Sequence, residues 1–271
     1  MLIEEKIVRH WIDNFYGYGS WQARTWFIGY EESGGDLPEE VAEKINYFYQ
    51  AHPASNEGAL CDIRELNRRM TVKFEGPHLR SYTNLYEYWF GTSAIQNNLW
   101  KNLSAFKHGF RNEPIPDLLE YQKHIFTSAS MLNESLIRLF PLPSPHNHAW
   151  YYSWLDLPNL GFLKSRRAYE EHLYHHRIER ILSNMRTYKP EVVLMYGMNN
   201  VNTLKKSIQD FFQGSKFKLI KSISQQIAQH HCAYLDGTTV VITTQIPTLR
   251  HNRIETGFDW EEIGKRVKEK N

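Results

Sequence analysis

Cysteine is scarce in this chain, with only Cys61 and Cys232 among 271 residues. Two thiols are too few for a four-cysteine zinc site or a cysteine-held iron–sulfur cluster built by this chain alone. They also indicate no disulfide framework. We therefore predict that the protein uses no cofactor, neither an iron–sulfur cluster nor a catalytic metal.

The chain also lacks a strong charge of either sign and a long apolar run. Its 32 Lys and Arg residues nearly balance its 30 Asp and Glu residues, and the formal net charge of +2 is too small to mark a nucleic-acid-binding protein by charge alone. No segment approaches the roughly 20 apolar residues of a membrane-spanning helix, and the first residues carry acids where a signal peptide would be apolar. We expect a cytoplasmic protein with no membrane partner.

Standard phosphate-binding and metal-binding motifs are missing too. There is no Walker-type glycine loop and no Gly-x-Gly-x-x-Gly fingerprint. His172, His176 and Glu179 have the i, i+4, i+7 spacing that places metal ligands on one helix face. The HExxH order is absent, however, and an exposed His-rich helix face is the commoner source of such a spacing. We predict no metal ligand in this group.

The most informative feature present is an apolar run of strand length, residues 25–30, that leads directly into acids and glycines. Gly29 lies at its end, and Glu31, Glu32 and Asp36 follow. Because open α/β sheets bind ligands at the carboxyl ends of their strands, these carboxylates lie where chemistry is expected.

Strand-like and helical patterns alternate along the rest of the chain. Apolar or β-branched runs of strand length occur at residues 124–130, 191–197 and 239–244, and helical patterns occur at 38–51 and 166–187. Strands separated by helices predict an α/β fold, here a three-layer sandwich with a central, mostly parallel sheet.

We predict a single domain over residues 1–271, because neither a repeat nor a low-complexity linker divides the chain. Residues 1–24 have the pattern of a short helix followed by a turn. Residues 52–123 contain helical fragments, at 82–90 and 94–107, but no clean strand. They are predicted to form a mainly helical insertion.

Taken in this order, the segments resemble the uracil-DNA glycosylase superfamily. The resemblance rests on four features: Gly29-x-x-x-x-Gly34 with its acids, a second strand leading to Asn133, the helix and strand around 189–199, and a late strand ending in Thr-x-x-Pro247-Thr248. The matching segments are residues 24–36, 124–134, 189–204 and 239–266. The resemblance implies a uracil-DNA glycosylase-like fold.

The resemblance also implies an activity, hydrolysis of the N-glycosidic bond of uracil or another damaged base in DNA. In this family an Asp, Asn or Glu positions or activates the attacking water, and here Glu31, Glu32 and Asp36 compete for that role. The family's late His-Pro-Ser motif carries a histidine that faces the uracil carbonyl, where this chain has Ile246. His251 is the candidate substitute, and the alternatives are that it is a solvated loop residue or makes a contact at the start of the last helix.

The implied partner is either a nucleic acid or a nucleotide. The nucleic acid would be DNA, and single-stranded DNA is one of the forms considered. Tyr30 would stack on the base and Asn133 would read its edge, although a tyrosine at a strand end also serves packing and an asparagine also makes turns. The predicted substrate-binding residues are Gly29, Tyr30, Asp36, Asn133, Pro247, Thr248, Arg250 and Arg253. Three other basic groups are interpreted as solvated helix faces. They are Arg64, Arg68 and Arg69; Lys164, Arg166 and Arg167; and Lys205 and Lys206.

Two further classes of function stay open. A catalytically inactive protein that binds nucleic acid or a nucleotide on the same fold is favoured by Ile246 at the histidine position. An unrelated α/β hydrolase would use Glu31, Glu32 and Asp36 in a different way.

Overall fold

The computed structural model describes residues 3–32, 38–70, 84–144, 150–221, 227–248 and 258–269. These residues form a mixed α/β sandwich around a single eight-stranded, mostly parallel sheet. The predicted fold class is confirmed.

The strands are β1 (Phe15–Tyr18), β2 (Thr25–Glu31), β3 (Ala59–Cys61), β4 (Glu134–Phe140), β5 (Val192–Tyr196), β6 (Lys218–Ile220), β7 (His230–Leu235) and β8 (Thr238–Ile242). Their order across the sheet is β3-β1-β4-β2-β5-β8-β7-β6. The neighbouring strands β4, β2, β5 and β8 are mutually parallel, and β1 is parallel to β3. β1 is antiparallel to β4, and β7 is antiparallel to both of its neighbours, β6 and β8.

The helices are α1 (Glu5–Asn14), α2 (Pro38–Ala51), α3 (Ile63–Arg68), α4 (Leu85–Phe90), α5 (Asn98–Arg111), α6 (Leu118–His124), α7 (Arg166–Tyr188), α8 (Val201–Phe211) and α9 (Trp260–Glu269). Two 3₁₀ helices, Tyr151–Trp154 and Gly161–Lys164, precede α7. The helices predicted at 38–51 and 166–187 are confirmed as α2 and α7.

β2 lies at the centre of the parallel part of the sheet. Residues 25–29 are all buried, so both faces of this strand are covered, as expected for a parallel sheet between helices. On one face, Phe27 meets Phe106 of α5 with ring centroids 6.5 Å apart. The strands predicted at 25–30, 191–197 and 239–244 correspond to β2, β5 and β8 and are confirmed.

The strand predicted at 124–130 is wrong. His124 ends α6, and Thr127 has a φ of 52°, in the left-handed region that strands exclude. The strand begins ten residues later, as β4. The polar residues Glu134 and Arg138 interrupt the apolar run, so the sequence pattern does not predict a strand here. Both side chains can be buried because each forms an ion pair with a residue that is distant in the chain.

Residues 52–123 also differ in part from the prediction. Their described part forms α3, α4, α5 and most of α6, but it also supplies the short strand β3, which pairs with β1 at one edge of the sheet. β1 itself lies in the turn region predicted at the end of residues 1–24. Gly17 is required there, because its φ is 134° and a Cβ atom would lie 2.1 Å from the carbonyl oxygen of Leu136.

The chain changes direction at β2. From β2 the connection leads to β4 on one side, and from β4 the chain crosses back through α7 to β5 on the other side. The point between the carboxyl ends of β2 and β5 is therefore the topological switch point, where open α/β sheets bind ligands. In the described part of the chain, no helix has both the length and the apolar character needed to cross a membrane.

Candidate functional site

Glu31 and Arg166 form the centre of the site at the carboxyl edge of the sheet. Glu31 ends β2, and Arg166 is the first residue of α7, which the side chain of Ser165 caps by accepting a hydrogen bond from the Ala168 amide. Arg166 Nη1 donates to Glu31 Oε1 at 2.6 Å, and it also donates to the second carboxylate oxygen. Arg166 Nη2 donates to Ser144 Oγ at 2.6 Å, which ties this pair to the loop after β4.

The Glu31 carboxyl group has an unusual protonation equilibrium. Its side chain is only 13% exposed. Burial raises the pKa of Glu31 from 4.5 to about 7, and this effect exceeds the lowering caused by Arg166, while nearby Glu170 adds a smaller increase. A carboxyl group with a pKa near neutrality exchanges protons readily at physiological pH, which suits a general acid or base.

A second carboxyl group, that of Glu170, lies one helical turn after Arg166 on α7. The Tyr30 hydroxyl lies beside both the Glu170 carboxyl group and the Asn199 amide. Burial raises the pKa of Glu170, and Tyr30 and Arg166 oppose that increase. Burial and the Glu170 charge also raise the pKa of Tyr30, so that its hydroxyl stays protonated at neutral pH.

Tyr30 and Glu170 line a cleft of about 410 Å³ between α7 and α8. Its walls combine aromatic and aliphatic surface with a few charged and amide groups, the usual composition of a small-molecule site. The cleft lies at the switch point between β2 and β5. Its lining residues are Tyr30, Leu139, Phe140, Arg167, Glu170, Glu171, Tyr174, His175, Met198, Asn200, Thr203 and Leu204.

Glu32, the next residue after Glu31, belongs to a different environment, a polar cluster inside the core. Its Oε1 accepts from Lys44 Nζ at 2.6 Å and from the Tyr18 hydroxyl, and its Oε2 accepts from Arg138 Nε at 2.6 Å. Burial alone would raise the pKa of Glu32, but Lys44 and Arg138 lower it to about 2. The carboxylate is 3% exposed and its donors are all protein groups, so this placement does not favour Glu32 as the residue that holds a water.

Gly29 serves the packing of that cluster. It lies opposite Arg138 on β4 and Tyr196 on β5, and these two side chains meet above it, with Arg138 Nη1 donating to the Tyr196 hydroxyl at 2.8 Å. A Cβ atom on Gly29 would lie 2.5 Å from Arg138 Nη1. The two long side chains of Arg138 and Tyr196 therefore leave no room for a side chain at position 29, which explains why this residue is a glycine.

The structure does not bring Asn133 to the site. Its carbonyl oxygen accepts from the amide of Thr25, so Asn133 lies at the amino end of β4 and β2. Glu31 lies at the other end of β2, about 20 Å away at the rise of a β-strand. The predicted meeting of Asn133 with Glu31 is wrong because it depended on a strand that ends, rather than begins, near residue 133.

The loop after β8 lies next to the end of β5. The amides of Gly197 and Met198 donate to the carbonyl oxygens of Gln245 and Thr243 at 3.0 and 3.2 Å. Pro247 is buried and Thr248 is exposed, and the Pro247 carbonyl oxygen accepts from Asn102 of α5 at 3.0 Å. Four predicted site residues lie outside the described residues: Asp36, Arg250, His251 and Arg253.

Sequence reasoning missed Arg166 and Glu170. Arg166 was interpreted as part of a solvated helix face, yet its side chain is 18% exposed and pairs with Glu31. The available signal was the Arg–Glu spacing of four residues in the first turn of a helix that follows a proline-rich loop. Arg64 is a second exception, because it donates to three carbonyl oxygens at the end of α6, at 2.8 to 3.1 Å.

Other parts of the molecule offer less chemistry. A groove of about 630 Å³ lies between the ends of α7 and α8, lined partly by Arg186, Phe211 and Asp236, but it is at the amino edge of β8 and away from the switch point. The ring of His172 stacks on Phe162 at 4.0 Å. Within the described ranges, no group of three or more His, Cys, Asp or Glu side chains is placed to hold a metal ion.

No protein-family model matches the chain, and no curated protein matches it.

Proposed function

We propose that this protein is a hydrolase of the uracil-DNA glycosylase type, which cleaves an N-glycosidic bond with Glu31 as the group that activates water. The observation that carries the proposal is the position of Glu31. A carboxyl group with a pKa of about 7 lies at the carboxyl end of the central strand, next to a cleft at the topological switch point. The sequence resemblance supplies the class of reaction.

The reaction needs few groups. An ionised Glu31 would accept a proton from a water molecule while the water oxygen forms a bond to the anomeric carbon of the sugar. The bond between that carbon and the base nitrogen breaks, and its electron pair leaves with the base. Arg166, held by both Glu31 oxygens and by Ser144, would fix the orientation of the carboxylate.

The cleft supports a nucleoside-sized ligand. Its volume of about 410 Å³ is within the range of small-molecule sites, and Tyr30 offers an aromatic ring beside Glu31. We propose nucleic acid, including single-stranded DNA, or a nucleotide as the substrate. We also propose a cytoplasmic location, which accords with a chain that has only two cysteines, both of them buried.

A second candidate is a binding protein on the same fold without chemistry. It is favoured by the contact of Arg166 Nη1 with both oxygens of Glu31, because this contact occupies the carboxylate that a catalytic water would need. In that case the cleft would bind a base or nucleotide without cleaving it.

The test is release of free bases from single-stranded oligonucleotides that carry uracil or damaged bases, measured without added metal. Glu31→Gln should lower the rate by about 10²–10⁴-fold, the usual contribution of a general base, and should spare binding. Glu179→Gln, an exposed change on the same helix α7, is the matched control. Binding without base release from any substrate would select the non-catalytic candidate.

A further inference from the structure

We propose that the cleft between α7 and α8 binds a positively charged heterocyclic base, so that cationic N-glycosides are the substrate class of this protein. This inference deepens the proposed function and rests on it. Uracil, which is neutral in the substrate, would then be a poor substrate.

The first support is the combination of surfaces in the cleft. Tyr30, Phe140 and Tyr174 contribute aromatic rings, and Glu170 contributes a half-buried carboxyl group beside the Tyr30 hydroxyl. A planar cation gains from the face of an aromatic ring and from a nearby carboxylate together. A neutral base such as uracil offers a carboxylate one N–H donor between two carbonyl oxygens but no positive charge.

The second support is the balance of charge around the cleft. Arg166 is paired with Glu31, and Arg167 is paired with Glu171 at 2.8 Å. Among the described residues, Glu170 has no ion pair of this kind. Asn200, the N-cap residue of α8, and Thr203 and Leu204 within α8 line the cleft, and none of them is charged. Two further titratable side chains line the cleft, those of Tyr174 and the exposed His175. A bound cation would therefore give Glu170 a direct ion-pair partner, in addition to the Tyr30 hydroxyl and the nearby charge of Arg166.

The third support is Ile246, at the position where the resembled family has a histidine that stabilises a departing uracil anion. Its side chain lies against Gly197, since a Cβ atom on that glycine would be 3.1 Å from Ile246 Cγ1. Ile246 therefore supplies no hydrogen-bond donor at that position, and the next cationic side chains of the loop, Arg250, His251 and Arg253, lie outside the described residues. A neutral base leaves as an anion and needs such a donor. A cationic base leaves as a neutral molecule and does not.

The chemistry balances without a further reactant. The water oxygen bonds to the anomeric carbon, the carbon–nitrogen bond breaks, and its electron pair cancels the positive charge of the ring. The proton of the water passes to Glu31. Glu170 then acts in binding rather than in the reaction itself, because the charge it attracts disappears from the base as the bond breaks. Glu170 is therefore a specificity-determining residue, and its loss should act mainly on KM.

The test compares matched cationic and neutral substrates. The free probes are N7-methylguanosine and guanosine, and the polymer probes are single-stranded oligonucleotides with one N7-methylguanine or one uracil. We expect base release from the methylated member of at least one pair, at least tenfold faster than from its neutral counterpart. Comparison of the two methylated probes then shows whether the substrate is a free nucleoside or a nucleic acid, according to which of them releases its base faster.

Glu170→Gln should raise KM for the methylated substrate by about tenfold or more, the effect of losing one desolvated charge contact, and should not lower kcat. Glu179→Gln should change neither constant. Equal or faster release of uracil would overturn the cationic class and leave the proposed hydrolysis standing. If no probe releases a base, the proposed hydrolysis fails. The cationic cleft also fails if N7-methylguanosine then binds no more tightly than guanosine by calorimetry.

Discussion

Glu31 and Glu32 are neighbours in the chain, yet their carboxyl groups have pKa values of about 7 and about 2. Both are poorly exposed, so burial penalises the charged form of each. Glu32 offsets this penalty with two cations and a phenol, whereas Glu31 has one guanidinium and a second carboxyl group nearby. The number of donors, rather than the depth of burial, decides which glutamate stays ionised.

The two environments imply different roles. The cluster around Glu32 holds Lys44 within 5.5 to 5.7 Å of the rings of Trp11, Phe15 and Tyr18, and it joins α2 to β4. It is part of the core. Glu31 lies beside Tyr30, which lines the cleft, and its raised pKa of about 7 lets it exchange a proton near neutral pH. Experiments that separate stability from activity should therefore separate these two residues.

The largest effect is expected for Glu32→Gln. The change leaves the buried charges of Lys44 and Arg138 without a counter-charge, and breaking a buried ion pair in this way costs about 3–5 kcal/mol. Urea denaturation at pH 7 would measure the free energy of unfolding. The double variant Glu32→Gln/Lys44→Met should recover part of the loss. An unchanged denaturation midpoint for Glu32→Gln would show that the cluster does not stabilise the fold.

The pH dependence of stability should show opposite slopes for the two residues. The pKa of Glu31 is raised from 4.5 to about 7 on folding, so the folded protein holds this proton more tightly and stability falls as pH rises between these values, by an amount on the order of 3 kcal/mol. The pKa of Glu32 is lowered to about 2, so its contribution is present above pH 4.5 and is lost as pH falls towards 2.

Free energies of unfolding measured from pH 3 to pH 8 would resolve these two slopes. Glu31→Gln should remove the decline between pH 4.5 and 7 and leave the acid slope in place. If the Glu31→Gln variant keeps the wild-type decline in stability between pH 4.5 and 7, the assignment of that decline to Glu31 is wrong. In the proposed reaction, kcat/KM should rise with pH through about 7, because Glu31 must be ionised to accept a proton.

A smaller effect is expected for Gly29→Ala. The added Cβ atom would lie 2.5 Å from Arg138 Nη1 and 2.8 Å from the Tyr196 hydroxyl oxygen, so both side chains must move. Overpacking of this kind costs about 1–3 kcal/mol. Gly161→Ala is the matched control, because, apart from its chain neighbours, no atom of the described residues lies within 4 Å of its added Cβ. Equal thermal midpoints for the two variants would contradict the close packing above Gly29.

The smallest effect is expected for Arg167→Ala. Arg167 is adjacent to Arg166 but makes an exposed pair with Glu171, and exposed pairs of this type contribute little to stability. The thermal midpoint should not change measurably. Arg166→Ala should instead release Glu31 and alter the pH profile of activity. If Arg166→Ala and Arg167→Ala have the same pH profile of activity, the proposed difference between the Arg166–Glu31 contact and the exposed Arg167–Glu171 pair is wrong.

Local sequence patterns were sufficient for several elements of the fold. β2, β5, β8, α2 and α7 were predicted because each has a sustained pattern of apolar residues and a recognisable beginning or end. The prediction of Glu31 as a site residue follows from the same reasoning. An acid directly after a central parallel strand lies at the ligand-binding edge wherever the sheet is open.

β4 shows why other elements were missed. Three of its seven residues, Glu134, Ser135 and Arg138, are polar, and all seven are buried. Lys107 Nζ lies 2.9 Å from Glu134 Oε2, and Glu32 neutralises Arg138. No local pattern contains these partners. The error moved the predicted strand by ten residues and placed Asn133 at the wrong edge of the sheet.

The sequence by itself therefore determined the α/β class, the central strand and the acidic end of that strand, because each depends on residues that are close in the chain. The tertiary structure alone decided which of the two adjacent glutamates is ionised, and it brought Arg166 to Glu31 across 135 residues. Burial and the number of donors around a carboxyl group depend on contacts between distant segments. For that reason the sequence Glu31-Glu32 alone does not show which glutamate stabilises the core and which has a pKa near neutrality.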